Sequence, residues 1–114
     1  MQIRMNKNTL IVTITGDMDH HNTGTIRSAI DKEIREKPIH NLVFDLSNLD
    51  FMDSSGIGLI LGRYKRMKEL DGNVFIAGAR PEVERIINLS GLHKIIPLYD
   101  TMEKAEKGVC GVVK

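Results

Sequence analysis

The sequence predicts an α/β domain whose helices pack on a mixed, largely parallel sheet of four to five strands. Two kinds of segment alternate along the chain. Some, such as Leu10–Thr15, are rich in β-branched residues, and in others, such as Ile57–Met67, apolar residues recur every three or four positions. Helices that connect successive strands bring those strands together in parallel through right-handed crossovers. The 114 residues, of which 41% are hydrophobic and 27% charged, suit one domain over residues 1–114.

The first half of the chain predicts a hairpin, a helix and a buried strand. Leu10–Thr15 alternates in polarity and pairs with the short segment Ile3–Met5 across a polar turn. Thr23–Glu36 places its apolar residues on one helical stripe, and Pro38 stops that helix. His40–Leu46 is apolar enough to predict a central strand that is buried on both faces.

The second half predicts the same alternation of helices and strands. The next helix ends at Asp71–Gly72. Val74–Ala77 predicts another buried strand, and Pro81–Leu89 a short helix with proline near its first turn. A weak strand is expected within Ile95–Tyr99, and Thr101 is expected to cap a terminal helix. The predicted order is therefore β-β-α-β-α-β-α-β-α, with about four helices.

Composition and charge exclude several classes of function. Sixteen Lys and Arg against fifteen Asp and Glu leave a net charge of +1 without a basic stripe, so no nucleic-acid partner is expected. Cys110 is the only cysteine, which excludes an internal disulfide and a cysteine-rich metal site. We see no basic leader followed by an apolar core, and no apolar run that approaches the roughly 20 residues of a membrane span. We therefore expect a cytoplasmic protein without a membrane span.

The segment Asn48–Gly58 is the first candidate site, because a buried strand ends there and a helix begins. Open α/β sheets place their functional groups at this edge. Asp53 or Ser54 can accept hydrogen bonds from amides one turn later, and capping alone is the plainest explanation of an Asp-Ser-Ser run. Gly56 and Gly58, however, each cost about 0.5–1 kcal/mol in a helix relative to Ala. Without β-carbons there, a partner polypeptide or an anion can approach the backbone beside the serines.

A phosphorylated serine is compatible with this position. A phosphate would carry about −1.5 to −2 charges, which the free amides and the dipole of a helix N-terminus favour. Phosphorylation of Ser54 or Ser55 would therefore leave the fold intact and act on whatever docks there, with Asp53 adding to the repulsion. The residues alone do not choose between the two serines.

A second polar loop, Gly16–Asn22, is expected at the same edge. It holds a dense group of carboxylates and imidazoles that includes Asp19 and His20, and capping and solvation explain most of it. Adjacent histidines rarely converge on one metal ion without further ligands, so neither a metal nor a cofactor is expected. Met18 and Met52 either belong to an adaptable docking surface at this edge or complete the core.

Three blocks of the sequence resemble the anti-sigma-F factor antagonists of endospore-forming bacteria, a family of STAS domains. The blocks are Gly16–His21, Phe51–Lys65 and Leu89–Ile96. Asp-Ser-Ser-Gly alone is a weak signal, but three blocks in the right order and spacing, spread over nearly the whole chain, are a strong one. The resemblance implies a STAS-type domain that acts as an anti-anti-sigma factor.

The resemblance also implies partners and a site. The partner would be an anti-sigma factor that is also an ATP-dependent serine kinase. In its unphosphorylated form such a protein binds this anti-sigma factor, which then releases a sporulation sigma factor. In its phosphorylated form it dissociates from the anti-sigma factor until a phosphoserine phosphatase removes the phosphate. The phosphorylated residue of the family is the second serine of the pair, which maps to Ser55. The expected partner-binding residues are Asp53, Ser54, Gly56, Asp19 and His20, with Met18 as an adaptable contact.

Two other functions stay open as alternatives. A STAS antagonist of a stress-response pathway would keep this chemistry and change the kinase. A small serine hydrolase would use Ser55 with His20 or His21 as base, but no Gly-x-Ser-x-Gly elbow is present and 4% aromatic residues leave little material for a substrate pocket. ATP is expected on the kinase partner, since this sequence lacks a Gly-x4-Gly-Lys-Ser/Thr motif. No heptad or extended apolar edge calls for a dimer, so a monomer is expected.

Overall fold

The computed structural model describes residues 1–112, which form a five-stranded mixed sheet with helices on both faces. Its strands are β1 (Gln2–Asn6), β2 (Thr9–Thr13), β4 (Asn41–Asp45), β6 (Asn73–Ala77) and β7 (Leu98–Tyr99). They lie across the sheet in the order β1-β2-β4-β6-β7. The hairpin pair β1–β2 is antiparallel and every other neighbouring pair is parallel. The predicted mixed, largely parallel sheet with a central buried strand is confirmed.

Four α-helices connect or follow these strands within residues 1–112. They are α1 (Thr23–Glu36), α2 (Ser54–Glu69), α3 (Pro81–Ser90) and α4 (Met102–Val112). The predicted order of the helices and of the five strands of this sheet is confirmed, and the predicted bounds of α1 match the structure. Thr101 also caps α4 as predicted, because its Oγ1 accepts a hydrogen bond from the Lys104 N–H at 3.2 Å.

Side chains that alternate along the strands divide the core between the two faces of the sheet. One face packs against α1, α2 and α3 around fully buried residues such as Leu42, Phe44 and Ile76. The other face carries Ile11 and Val43 and packs against α4. Because β4 is buried on both sides, it reads as a continuous apolar run rather than as an alternating one.

A second sheet of two strands, which the sequence patterns do not predict, is formed in addition to the first. Its strands are β3 (Gly16–Met18) and β5 (Leu49–Met52), which pair in parallel with Met18 opposite Met52. Both segments were expected to be loops. Gly16 makes the connection from β2 possible, because its φ of +84° lies in the left-handed region that glycine tolerates.

The last strand is shorter than expected. The weak strand expected within Ile95–Tyr99 is reduced to Leu98–Tyr99, since a single 3₁₀ turn over Leu92–Lys94 precedes it. Pro97 has no N–H for ladder pairing, although its carbonyl accepts a hydrogen bond from Ile76 N at 3.1 Å. No helix among residues 1–112 is both long enough and apolar enough to cross a lipid bilayer.

Candidate functional site

The N-terminus of α2 is capped by Asp53. The Asp53 backbone is extended, and its Oδ1 accepts a hydrogen bond from the Ser55 N–H at 2.8 Å. The Asp53 carbonyl accepts further bonds from the N–H groups of Gly56 at 3.0 Å and Ile57 at 3.3 Å. Of the two expected candidates, Asp53 rather than Ser54 is therefore the N-cap, which fixes the helix start directly beneath the two serines.

Both serines of the Asp-Ser-Ser run lie in the first turn of α2 with some access to solvent. Ser54 is exposed and Ser55 is partly exposed. Both serines are therefore open to a protein partner to some degree. The N–H groups of the first turn point toward this end of the helix, where Asp53 accepts hydrogen bonds from those of Ser55, Gly56 and Ile57.

The loop between β3 and α1 is a tightly bonded turn. Asp19 Oδ1 accepts a hydrogen bond from the His21 N–H at 2.8 Å, and the Asp19 carbonyl accepts one from Thr23 N at 3.0 Å. In return, Asn22 Oδ1 accepts a hydrogen bond from the Asp19 N–H at 2.9 Å. The backbone of this loop is held by its own side chains, while the imidazoles of His20 and His21 extend into solvent.

One side-chain pair joins the two loops. His20 Nδ1 lies 3.6 Å from Asp53 Oδ2, and the His20 side chain remains 70% exposed. The loop that precedes α1 therefore meets the start of α2 through the same carboxylate that caps the helix. This brings Asp19 and His20 next to the Asp-Ser-Ser run, as the topology predicted.

The surroundings of Asp53 favour its charged form. Burial acts to raise the pKa of this carboxyl. Hydrogen bonds from the backbone N–H groups of Ser55 and Gly56, and from the backbone and side chain of His20, act in the opposite direction and prevail. The pKa of Asp53 therefore lies below its ordinary value of 3.8, and the helix start carries a fixed negative charge at neutral pH.

Two residues that were expected to contact a partner are buried instead. Met18 is 0% exposed because β3 turns it into the core beside Met52, so it is a core residue and not a docking contact. Gly56 is also buried, and a β-carbon there would meet Met52 Sδ at 2.8 Å and the Met18 carbonyl oxygen at 3.1 Å. Packing of α2 on β3 and β5 explains Gly56, whereas open space around Gly58 leaves room for a partner.

Phe51 belongs to the same edge, and the sequence analysis did not single it out. Its side chain is 48% exposed, although Met52 beside it is fully buried. Strand β5 does not alternate regularly, because Asp50 and Phe51 are both exposed between buried Leu49 and Met52, and its pairing with β3 has a register irregularity at this point. A strand predicted over Leu49–Met52 would not have identified Phe51 as exposed, since regular alternation places it on the same face as the buried Leu49.

The imidazoles and carboxylates of this edge do not form a metal centre in the part of the chain that the structure describes. A group of three or more His, Cys, Asp or Glu side chains that could hold a metal ion is absent from residues 1–112. The rings of His20 and His21 lie with their centroids 4.0 Å apart and tilted by 37°, so they stack loosely instead of converging on one point.

Comparison with known proteins identifies the family. The family model described as the STAS domain matches residues 1–105. This chain belongs to the STAS domain family. An anti-sigma F factor antagonist of Paenibacillus polymyxa is 41% identical over 102 residues, which cover 88% of this chain and 87% of that protein.

Solved structures of STAS proteins have the same fold. The anti-sigma factor antagonist SpoIIAA in its unphosphorylated form matches with a TM-score of 0.86 and 31% identity, over 99% of this chain and 98% of that one. SpoIIAA of Bacillus, a cell fate determinant, in its phosphorylated form matches with a TM-score of 0.76 and 29% identity, over 95% and 97% of the two chains. The family and fold expected from the three sequence blocks are confirmed.

Proposed function

We propose that this STAS domain is an anti-anti-sigma factor that is switched by phosphorylation of Ser55. In its unphosphorylated form it binds an anti-sigma factor that is also an ATP-dependent serine kinase, and thereby releases a sporulation sigma factor. The kinase phosphorylates Ser55, binding is lost, and a phosphoserine phosphatase restores the first state. The observation that carries the proposal is the partly exposed Ser55 on the first turn of a capped helix.

The start of α2 favours a phosphate without a change of fold. In the first turn of α2, the Ser55 N–H already donates to Asp53 Oδ1 and the Gly56 N–H to the Asp53 carbonyl, so the helix dipole contributes more than unoccupied amides to favouring an anion. Backbone N–H groups and the positive end of the helix dipole both stabilise an anion there. A phosphorylated protein should therefore keep its structure, and the energetic effect should fall on the complex.

The charges around Ser55 explain why a complex would be lost. Asp53 is ionised and its Oδ1 already accepts the Ser55 N–H, so a phosphate on Ser55 would place about −1.5 to −2 further charges beside a carboxylate. Asp19 lies in the neighbouring loop and adds a third acidic group. A partner surface that fits a neutral hydroxyl and one carboxylate would meet a strongly anionic patch after phosphorylation.

The choice of Ser55 over Ser54 rests on the family motif. Solvent access alone favours Ser54, which is exposed, over Ser55, which is partly exposed. In the family it is the second serine of the pair that carries the phosphate. The two serines therefore need to be separated by experiment.

Phosphorylation in a reconstituted system tests the proposal. The chain is mixed with an ATP-dependent anti-sigma factor kinase of the sporulation pathway, and the phosphate is located by mass spectrometry. We expect one phosphate, on Ser55, with none on Ser55→Ala and normal incorporation on the matched variant Ser54→Ala. The Ser55→Ala protein should bind the kinase and stay bound when ATP is added, because it cannot be switched off.

Three outcomes of this experiment would contradict the proposal. Phosphate on Ser54 alone would contradict the site, and absence of phosphate with every kinase tried would contradict the switch. Phosphorylation by a stress-response kinase but not by the sporulation kinase would assign the chain to the alternative pathway. Labelling of Ser55 by a fluorophosphonate probe would instead support the serine hydrolase alternative, since that reagent requires an activated nucleophile.

A further inference from the structure

A second charged region lies between helices α1 and α2, away from the serines. Its lining residues form what we call the arginine cleft: Asp31, Ile34 and Arg35 of α1 with Arg63 and Arg66 of α2. The cleft encloses a cavity of about 190 Å³. Ile34 is 7% exposed and provides an apolar wall, while the remaining lining residues are charged.

Arg63 is mostly buried, and two of its guanidinium nitrogens have an incomplete set of partners. Its side chain is 13% exposed, and Nε lies 3.1 Å from Asp31 Oδ1. The contact is an ion pair that does not have hydrogen-bond geometry. Both Nε and Nη1 of Arg63 are therefore buried atoms without a hydrogen-bond acceptor. A buried guanidinium with unpaired N–H groups is unfavourable, and an added acceptor would stabilise it.

The charges of the arginine cleft do not balance. Three guanidinium groups share it with the single carboxylate of Asp31. Arg66 has an exposed partner, Glu69, whose Oε2 lies 3.5 Å from Arg66 Nη1. Arg35 forms no ion pair with any residue in the part of the chain that the structure describes. Like charges held close together repel each other, and an anion among them would relieve that repulsion.

We infer that the arginine cleft binds an oxyanion of the phosphate class. Guanidinium groups recognise phosphate and sulfate through paired N–H donors, and Arg35 of α1 and Arg63 of α2 both line the cleft. The volume of about 190 Å³ is below the roughly 300–1,000 Å³ of sites for drug-sized ligands, so the cleft accommodates the anionic group and little else. At about 1.5 Å of rise per residue, Arg63 lies about 12 Å from Ser55 along the axis of α2. The arginine cleft is therefore a separate site from the proposed phosphorylation switch.

Titration with inorganic phosphate tests the inference. Two-dimensional NMR spectra of the full chain would be recorded with increasing phosphate and with chloride at equal ionic strength, since chloride controls for general screening. We expect saturable shifts of the Arg63 Nε–Hε signal and of the amides near Asp31 and Arg63 with phosphate only. Glycerol phosphate, a phosphomonoester, would be titrated in parallel. Tighter binding of inorganic phosphate would indicate a site for the free anion, and tighter binding of glycerol phosphate a site for a phosphate group on a larger molecule.

Two exposed arginines on the same helix provide the variant and its control. Arg35→Gln removes a cleft residue, and we expect it to weaken phosphate binding about tenfold, as for loss of one charge-assisted contact. Arg27→Gln removes an equal charge from α1 outside the cleft and should leave the affinity within about twofold, because distant surface charges are screened. Both residues are exposed, so neither change should prevent folding.

The result that would overturn the inference is specific. Shifts that do not saturate, that occur equally with chloride, or that weaken equally in Arg27→Gln and Arg35→Gln would show a response to general electrostatics alone. Any of these would mean that Arg63 and Asp31 form only a structural link between α1 and α2.

Discussion

A substitution of Gly56 by Ala tests whether packing, and not partner access, requires glycine at this position. A β-carbon at residue 56 would overlap Met52 Cγ and would lie 2.8 Å from Met52 Sδ and 3.1 Å from the Met18 carbonyl oxygen. Met52 is fully buried and has nowhere to move without disturbing the core, and the Met18 carbonyl belongs to the paired strand β3. The added methyl group must therefore displace α2, the small sheet or both.

The expected loss of stability follows from two opposing effects. Overpacking of a dense core costs about 1–3 kcal/mol. Alanine in a helix gains about 0.5–1 kcal/mol over glycine, which offsets part of that cost. Taken at the middle of both ranges, the free energy of unfolding of Gly56→Ala should therefore fall by about 1 kcal/mol. For a domain of this size that corresponds to a melting temperature lower by roughly 5 °C.

Gly58→Ala is the matched control, two residues further along the same helix. A β-carbon at residue 58 meets no atom within 4 Å, so only the helical gain applies and the protein should be more stable by about 0.5–1 kcal/mol. Urea unfolding followed by circular dichroism would measure both variants. A Gly56→Ala protein as stable as the wild type, or a Gly58→Ala protein less stable than the wild type, would refute the packing argument.

Three further predictions follow from the site and from the sheet. Asp53→Ala should lower the melting temperature at pH 7, because it removes the charged cap of α2. The difference in melting temperature between this variant and the wild type should vanish as the pH falls through the depressed pKa of Asp53, since only the charged carboxylate provides this stabilisation. Asn41→Ala should lower the free energy of unfolding by about 1–3 kcal/mol in urea, since it removes a fully buried amide. The Asn41 Oδ1 accepts a hydrogen bond from Asn73 Nδ2 at 3.3 Å, and its Nδ2 donates one to Thr9 Oγ1 at 3.5 Å. An unchanged urea midpoint would contradict this prediction. Ser55→Asp should weaken binding to the anti-sigma factor in calorimetry with little change of melting temperature, and a large fall in melting temperature would contradict a tolerated anion.

Strong local patterns made most of the fold predictable. Thr23–Glu36 has one apolar stripe and a proline just beyond its end, so both its type and its bounds follow from the sequence. The dense apolar run of β4 predicted a central strand, because a strand that is buried on both faces has apolar residues at successive positions instead of at alternate ones. These signals are local, and tertiary contacts agree with them.

The small sheet of β3 and β5 was not predictable in the same way. Its strands have three and four residues, and each contains an exposed acidic side chain, Asp17 or Asp50, as loops commonly do. They form because each supplies the hydrogen-bond partners of the other across a long sequence separation. Missing them also led to the wrong expectation for Met18 and Gly56, whose burial depends on that pairing.

The small sheet is also what brings the two parts of the site together. Because β3 and β5 run parallel with Met18 opposite Met52, the residues that follow each strand leave at the same edge and in the same direction. The Asp53 N–H donates to the Met18 carbonyl at 3.3 Å, which continues the pairing up to the first turn of α2. This register places His20 beside Asp53, and a slip by one residue would turn Met18 out of the core. The buried methionines therefore act on the site from within the core, because their packing sets the distance between the histidine loop and the serines.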